Sequence, residues 1–271
     1  MPEKPEVITV AKNLQSELLG RTIYECQVYW NNIIAYPTVD EFRNRIIDQM
    51  IHNITTRGKF LVFELDDYSL LIHLRMEGKF LFRGVLDDVT KHEHVEFVLD
   101  NAVSFRYHDV RKFGRMYLIP KEDTYSVKPL SELGYEYDDI RLTADYLYQK
   151  IHKKNLPIKT VLLDQSIIAG IGNIYDNEIL FLSKINPKKK SCKITKKECQ
   201  KIIDATRIIL TKAIALGGTT IRSFSSSEGV HGLFQNELMV HGKSICPECG
   251  EKIIKEMIGG RGTYYCLKCQ K

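Results

Sequence analysis

Between Pro5 and Leu19 the apolar residues Val7, Val10, Leu14 and Leu18 recur at the spacing of one helical face, and Gly20 follows as a stop. The chain is therefore predicted to open with a helix. Pro5 and Glu6 suit its first turn, which places Pro2 and Glu3 just ahead of the positive end of the helix dipole. A second helix is signalled by the capping box Thr38-x-x-Glu41 and runs through Phe42, Ile46 and Ile47 towards Met50. Around these helices the pattern shortens. Segments 22–30, 59–66, 69–75, 78–83, 94–99, 103–108 and 115–119 are rich in β-branched and aromatic residues and are separated by turns such as Asp66-Asp67 and Asp100-Asn101. An antiparallel sandwich carrying two helices is expected for this part of the chain.

After Pro129 the pattern turns helical. Thr143 caps one predicted helix, Ile158 to Leu163 lie on another, and Ile174 to Phe181 on a third. A fourth opens at the capping box Thr195-x-x-Glu198 and runs to Leu216, where Gly217-Gly218 stops it. The polar stretch Thr219 to Gly232, with Ser225-Ser226-Ser227 inside it, reads as a mobile loop of the kind that closes over a site.

At 271 residues the chain has room for two ordinary domains. It shows no apolar run long enough to span a bilayer and no charged-then-apolar leader, so a soluble cytoplasmic protein without a membrane partner is expected. The net charge of +5 is unevenly spread: residues 1–149 carry a net −6, residues 150–212 a net +9 and residues 213–271 a net +2. The positive middle segment is either a solvated lysine-rich surface or a face that meets a phosphate backbone.

Four of the seven cysteines stand at the end of the chain as Cys246-x2-Cys249-x16-Cys266-x2-Cys269. Two such knuckles bring four thiolates to one tetrahedral ion, and a closed four-thiolate site is structural, so one structural Zn2+ is the expected cofactor. Cys26, Cys192 and Cys199 lack such partners and read as inert thiols. Between the knuckles, residues 258–265 predict a β-hairpin whose glycines let Arg261 approach a backbone closely. Gly170-Ile-Gly172-Asn173 precedes a predicted helix, so it is either an ordinary turn or an anion site, with Lys153, Lys154 and Lys159 nearby in sequence.

Taken together, Pro2-Glu3-x-Pro5-Glu6-Val7, Thr56-Arg57-Gly58-Lys59, His73-Leu-Arg-Met76-Glu77-Gly78 and Tyr107-His-Asp109-Val-Arg111-Lys-Phe113-Gly114 resemble motifs of the formamidopyrimidine-DNA glycosylase family. So do Ile158 to Gln165, Ala169 to Tyr175, Gly217 to Arg222 and the cysteine hairpin, in matching order over essentially the whole chain. Family members commonly carry Leu and Glu where this chain has Lys4 and Ile8, and Pro where it has Val110. None of these departures removes a reactive group.

The resemblance implies an α+β architecture: an N-terminal antiparallel β-sandwich flanked by helices over 1–128, a helix-two-turn-helix domain over 129–216, and a lesion-capping loop with a zinc-finger hairpin over 217–271. It implies a bifunctional glycosylase and abasic-site lyase that excises oxidised purines from double-stranded damaged DNA, a bacterial enzyme acting as a monomer. Pro2, freed of Met1, is then the nucleophile, Glu3 the acid, and Lys59 and Arg261 assist elimination. Met76, Arg111 and Phe113 fill the gap left by the extruded nucleotide, and His92, Lys154 and Asn173 contact DNA. Thr219, Ile221, Arg222, Ser223 and Phe224 close over the lesion with Glu77 beside the pocket. Two rivals remain: an endonuclease-VIII-like enzyme for oxidised pyrimidines, disfavoured by the Arg111/Phe113 pair and the long loop after Gly217, and a catalytically silent zinc-ribbon DNA-binding protein, disfavoured by Pro2, Glu3 and Lys59.

Overall fold

The computed structural model describes residues 2–219 and 232–271, which fall into two compact units. One runs to Ser131; the other takes Glu132–Thr219 and Leu233–Lys271. The first unit opens with helix α1 (Lys4–Leu18), which ends before Gly20 at φ +75°. Its face of Val7, Val10, Leu14 and Leu18 is buried in the unit's core, as the apolar spacing requires. Helix α2 (Val39–Ile46) carries the Thr38/Glu41 capping box, but it stops at Ile46 and does not reach Met50. The chain turns there through Asp48 at φ +61° and enters a two-residue strand.

Ten strands build two five-stranded sheets: β1 (Thr22–Val28), β2 (Ile34–Tyr36), β3 (Gln49–Met50), β4 (Asn53–Arg57), β5 (Phe60–Glu64), β6 (Tyr68–His73), β7 (Lys79–Gly84), β8 (Glu93–Leu99), β9 (Val103–His108) and β10 (Arg115–Pro120). One sheet has the order β3-β1-β8-β9-β7, the other β2-β10-β6-β5-β4. All pairings are antiparallel except β2 with β10. Phe63, Phe80, Phe97 and Phe105 pack in the core, with Phe80 and Phe105 stacked at 4.4 Å. The sandwich also buries an ion cluster: Arg106 donates to Glu96 at 2.9 Å and to Glu93 at 3.1 Å.

The second unit contains α3 (Ala144–Ile151), α4 (Ile158–Leu162), α5 (Asn173–Leu182) and α6 (Lys196–Ala215), followed by the hairpin β11 (Ile254–Ile258) and β12 (Arg261–Tyr265). Thr143 and Thr195 cap α3 and α6, and Gly217 and Gly218 at φ +72° and +79° end the last helix. Leu147, Ile151, Ile158, Leu162, Ile179, Ile202 and Leu210 share its core. Among the described residues no helix is long and apolar enough to cross a membrane.

Lys159 corrects one expectation. Rather than adding to a phosphate-facing surface, its ammonium is fully buried and donates to Asp176 and Asn177, each at 2.9 Å. Asn177 in turn meets His241 Nδ1 at 2.6 Å, and burial followed by the nearby Lys159 and Lys255 charges pushes that imidazole down to about 4, so it accepts as the neutral ring. Other lysines of the positive segment are also paired: Lys188 with Glu256, Lys189 with Glu198 and Lys196 with Asp145, each at 2.6 Å. Removing Lys159 strands a buried carboxylate. Lys159→Ala is expected to lower unfolding stability by about 3–5 kcal/mol in urea titrations, with a smaller loss when Asp176→Asn is added.

Candidate active site and nucleic-acid interface

In the first unit, Pro2 and Glu3 are buried ahead of α1, with Glu3 as its N-cap. The Glu3 N–H donates to Glu6 Oε2 at 2.8 Å, so Glu6 serves the helix start, as its position predicts. Lys4 is 3% exposed and donates its ammonium to Thr56 Oγ1 at 2.9 Å and to the Thr56 carbonyl at 3.4 Å. Thr56 lies near the end of the edge strand β4, whose last residue, Arg57, precedes the two-residue Gly58-Lys59 turn into β5. Gly58 takes φ +57°, which a hairpin of this length demands. The helix start and the Lys59 turn are thus tied to one end of one strand.

Lys59 is buried, and its charge is felt at His73. Burial, then Arg75 and Lys59, push that imidazole down to about 3. The ring stands edge-on to Phe60 at 4.8 Å and accepts the Arg75 N–H at Nδ1, consistent with a neutral side chain. Met76 and Glu77, both partly buried, follow in the turn after β6, where Arg75 adopts φ +56°.

Arg111 and Phe113 are exposed, and the guanidinium lies 4.9 Å over the phenyl ring. Their backbone is not loose. The fully buried Asp109 carboxylate accepts the N–H groups of Arg111, Phe113 and Gly114, each at 2.9 Å. Its own carbonyl meets His94 Nε2 at 2.7 Å, and its N–H donates to the His92 carbonyl at 2.9 Å. His92 is partly buried and packs against the His108 ring at 5.7 Å. The holding role of Asp109 escapes periodicity analysis; its signal is an aspartate placed just before the backbone amides of a short non-strand run.

In the second unit, Asn173 begins α5 and donates Nδ2 to the Gly262 carbonyl of β12 at 3.0 Å. Its side chain therefore serves the hairpin. Gly259, at φ +57° in the hairpin turn, approaches α4 so closely that a Cβ there would lie 2.3 Å from Thr160 Oγ1. Arg261 opens β12 and is exposed. Glu178 on α5 is fully buried and accepts the N–H groups of Met239, Val240 and His241 at 2.7, 3.1 and 2.8 Å, fixing the segment that leads into the cysteines. Burial raises its carboxyl above the usual range against the pull of these amides. Lys154 is partly exposed, 3.9 Å from Asp164. Thr219 is buried, whereas Ile221, Arg222, Ser223 and Phe224, with most of the expected mobile loop, lie outside the described residues.

The four cysteine sulfurs lie within 4.8 Å of one another, with Cys246 to Cys269 at 3.8 Å and Cys249 to Cys266 at 3.5 Å. Four ligands at the Zn–S length of about 2.3 Å require sulfur separations near 3.8 Å, so the donor set fits one tetrahedral zinc. Family models match in three stretches: the formamidopyrimidine-DNA glycosylase N-terminal domain over 1–116, the formamidopyrimidine-DNA glycosylase H2TH domain over 133–225, and the zinc finger found in FPG and IleRS over 245–271. The chain belongs to the formamidopyrimidine-DNA glycosylase family. It is 42% identical over 273 residues to a formamidopyrimidine-DNA glycosylase of Oceanobacillus iheyensis, covering 100% of this chain and 98% of that one. A Bacillus cereus relative is 41% identical, covering 100% and 99%.

Among solved structures, a complex between the Lactococcus lactis Fpg and an abasic site containing DNA superposes with a TM-score of 0.91 at 34% identity, covering 100% of both chains. A complex between the wild-type form of that protein and a N7-Benzyl-Fapy-dG containing DNA also gives 0.91, at 35% identity and the same coverage. Family membership makes this chain a DNA-repair glycosylase, and family enzymes are abasic-site lyases as well. Its cysteine quartet holds one structural zinc, which folds the end of the chain that carries Arg261. Chelating the zinc, or Cys249→Ser, is expected to weaken DNA binding more than it slows the chemistry of complexes already formed. A metal-free protein with full affinity in a fluorescence anisotropy titration would refute this.

Proposed function

We propose that the chain excises oxidised purines, 8-oxoguanine and formamidopyrimidines, from duplex DNA through a Schiff base on Pro2, and then cleaves the strand by β- and δ-elimination. The observation that carries this reading is the anchoring of the N-terminus by Lys4 to Thr56, beside the Gly58-Lys59 turn. With Met1 removed, Pro2 presents a secondary amine at the positive end of α1, which disfavours the cationic form of an amine whose ordinary pKa is about 8. The nitrogen lone pair attacks C1′ of the deoxyribose and the bond to the base breaks. Glu3 protonates the ring oxygen, and the ring opens to the iminium.

Loss of a C2′ proton then expels the 3′ phosphate, with Lys59 assisting, and a second elimination expels the 5′ phosphate, with Arg261 assisting. Reaching C1′ requires extrusion of the nucleotide. Met76 and Phe113 fill the gap, and the guanidinium of Arg111 hydrogen-bonds the orphaned base, for which cytosine is the matching partner. His92 and Lys154 contact phosphates. Asn173, whose side chain is committed to Gly262, offers its backbone N–H at the start of α5. Thr219, Ile221, Arg222, Ser223 and Phe224 close over the base, with Glu77 beside the pocket. The enzyme works as a monomer in a bacterial cytoplasm, on double-stranded DNA.

Borohydride is expected to link the processed protein to 8-oxoguanine DNA through Pro2, and retained Met1 or Pro2→Gly to abolish the adduct. Peptide mapping that finds the adduct on a lysine, with Pro2 unmodified, overturns the assignment. Reading of the base is separable from chemistry, because 8-oxoguanine carries a proton at N7 and donates where guanine accepts. Deleting 223–230 is therefore expected to cripple 8-oxoguanine release while sparing cleavage at a pre-formed abasic site. Equal loss of both activities would assign the loop to the fold instead.

A further inference from the structure

Two turns of the first unit carry the gap-filling side chains: the one after β6 with Met76, and the one after β9 with Arg111 and Phe113. Each ends in a buried glycine, Gly78 and Gly114. The same atom lies against both. A Cβ on Gly78 would fall 2.1 Å from the Tyr107 hydroxyl, and a Cβ on Gly114 2.0 Å from it. Neither clash is relieved by moving the tyrosine, which is fully buried, sits in β9 between β7 and β8, and packs edge-on to Phe80 at 5.4 Å. The hydroxyl oxygen lies against both glycines and close enough to the Asp109 carboxylate to feel it, although no hydrogen bond of good geometry forms. Burial, then the neighbouring Asp109 carboxylate, holds the phenol protonated.

Asp109, two residues on, fixes the second turn from the other side through its three amide hydrogen bonds. Lys112, held at φ +56°, is the one amide between Arg111 and Gly114 that the carboxylate does not take, and it donates instead to the Asp109 carbonyl at 3.4 Å. We propose that Tyr107 and Asp109 are positioning residues which set the distance between Met76 and the Arg111–Phe113 pair, and through it the preference for the base opposite the lesion. The inference rests on the reading of Arg111 given above. A spacer of one phenolic oxygen separates the two turns, and a bidentate contact to a base edge tolerates little displacement of its donor.

The test measures single-turnover excision of 8-oxoguanine opposite cytosine and opposite adenine, expressed as their ratio, in the zinc-loaded full chain. Arg111→Ala serves as the reference and is expected to lower the ratio by about tenfold. Asp109→Ala is expected to approach that value, and Tyr107→Phe to lower the ratio by about threefold. Tyr107→Phe keeps the buried ring and its packing against Phe80, so a cooperative melt close to the wild-type temperature separates the effect from loss of fold. Borohydride trapping at an abasic site is expected to survive in both variants. If Arg111→Ala lowers the ratio while Tyr107→Phe and Asp109→Ala keep the wild-type value, the inference is overturned. Equal slowing on both opposite bases overturns it too, since that is the mark of a merely structural role. A fall in Asp109→Ala alone removes Tyr107 from the proposal. An unchanged ratio in Arg111→Ala defeats the underlying reading of Arg111 instead.

Discussion

A carboxylate taken out of water must recover its lost hydration through hydrogen bonds, and a turn folded against a core leaves backbone N–H groups with the same need. Among the described residues, the buried carboxylates of Glu6, Asp109 and Glu178 answer both requirements at once. Glu6 takes the Glu3 N–H, Asp109 takes those of Arg111, Phe113 and Gly114, and Glu178 takes those of Met239, Val240 and His241. Each lies on or beside a regular element and grips an irregular one. The segments so gripped are the start of the chain, the turn with Arg111 and Phe113, and the lead into the zinc ligands. These are the segments to which the proposed function assigns its chemistry and contacts, and the carboxylates satisfy backbone N–H groups there that no regular element takes.

A backbone held in this way leaves the side chains free to face outward. Arg111 and Phe113 are exposed while Asp109 beneath them is not. The same division holds in the second unit, where Arg261 is exposed on a hairpin held by Asn173 to Gly262, by the close approach of Gly259 to Thr160 and by the zinc. Donors held in place before a ligand arrives lose less entropy on binding, which is why buried supports matter to exposed residues such as Arg111.

Hydrophobic periodicity foretold the elements whose faces are strongly apolar on one side: α1, α6, and the inner strands β5, β6, β8 and β9. It missed β4. Asn53-Ile-Thr-Thr-Arg57 is an edge strand with one core-facing residue, Ile54, so burial leaves little alternation to read. It missed β2 and β3 because they are short, and it overran α2 because Ile47 continues the apolar spacing although the helix has already ended. Charge counting misled at Lys159, since a sequence sum cannot tell a solvated ammonium from one buried against Asp176. The residues proposed as reactive stand out only through the resemblance to family motifs; nothing in the pattern around Pro2 distinguishes a nucleophile from an ordinary lead-in.

Lys4 shows how a motif position tolerates a change of chemistry. Where the family commonly has leucine, this chain buries an ammonium to 3% exposure and satisfies it on Thr56 Oγ1 and the Thr56 carbonyl. Leucine holds such a position by packing alone, without direction; the lysine holds it by directed donors. The lysine ties the helix start to β4, the strand that ends at the Gly58-Lys59 turn. The departure concerns how the start of α1 is held and leaves Pro2 and Glu3 unchanged in sequence.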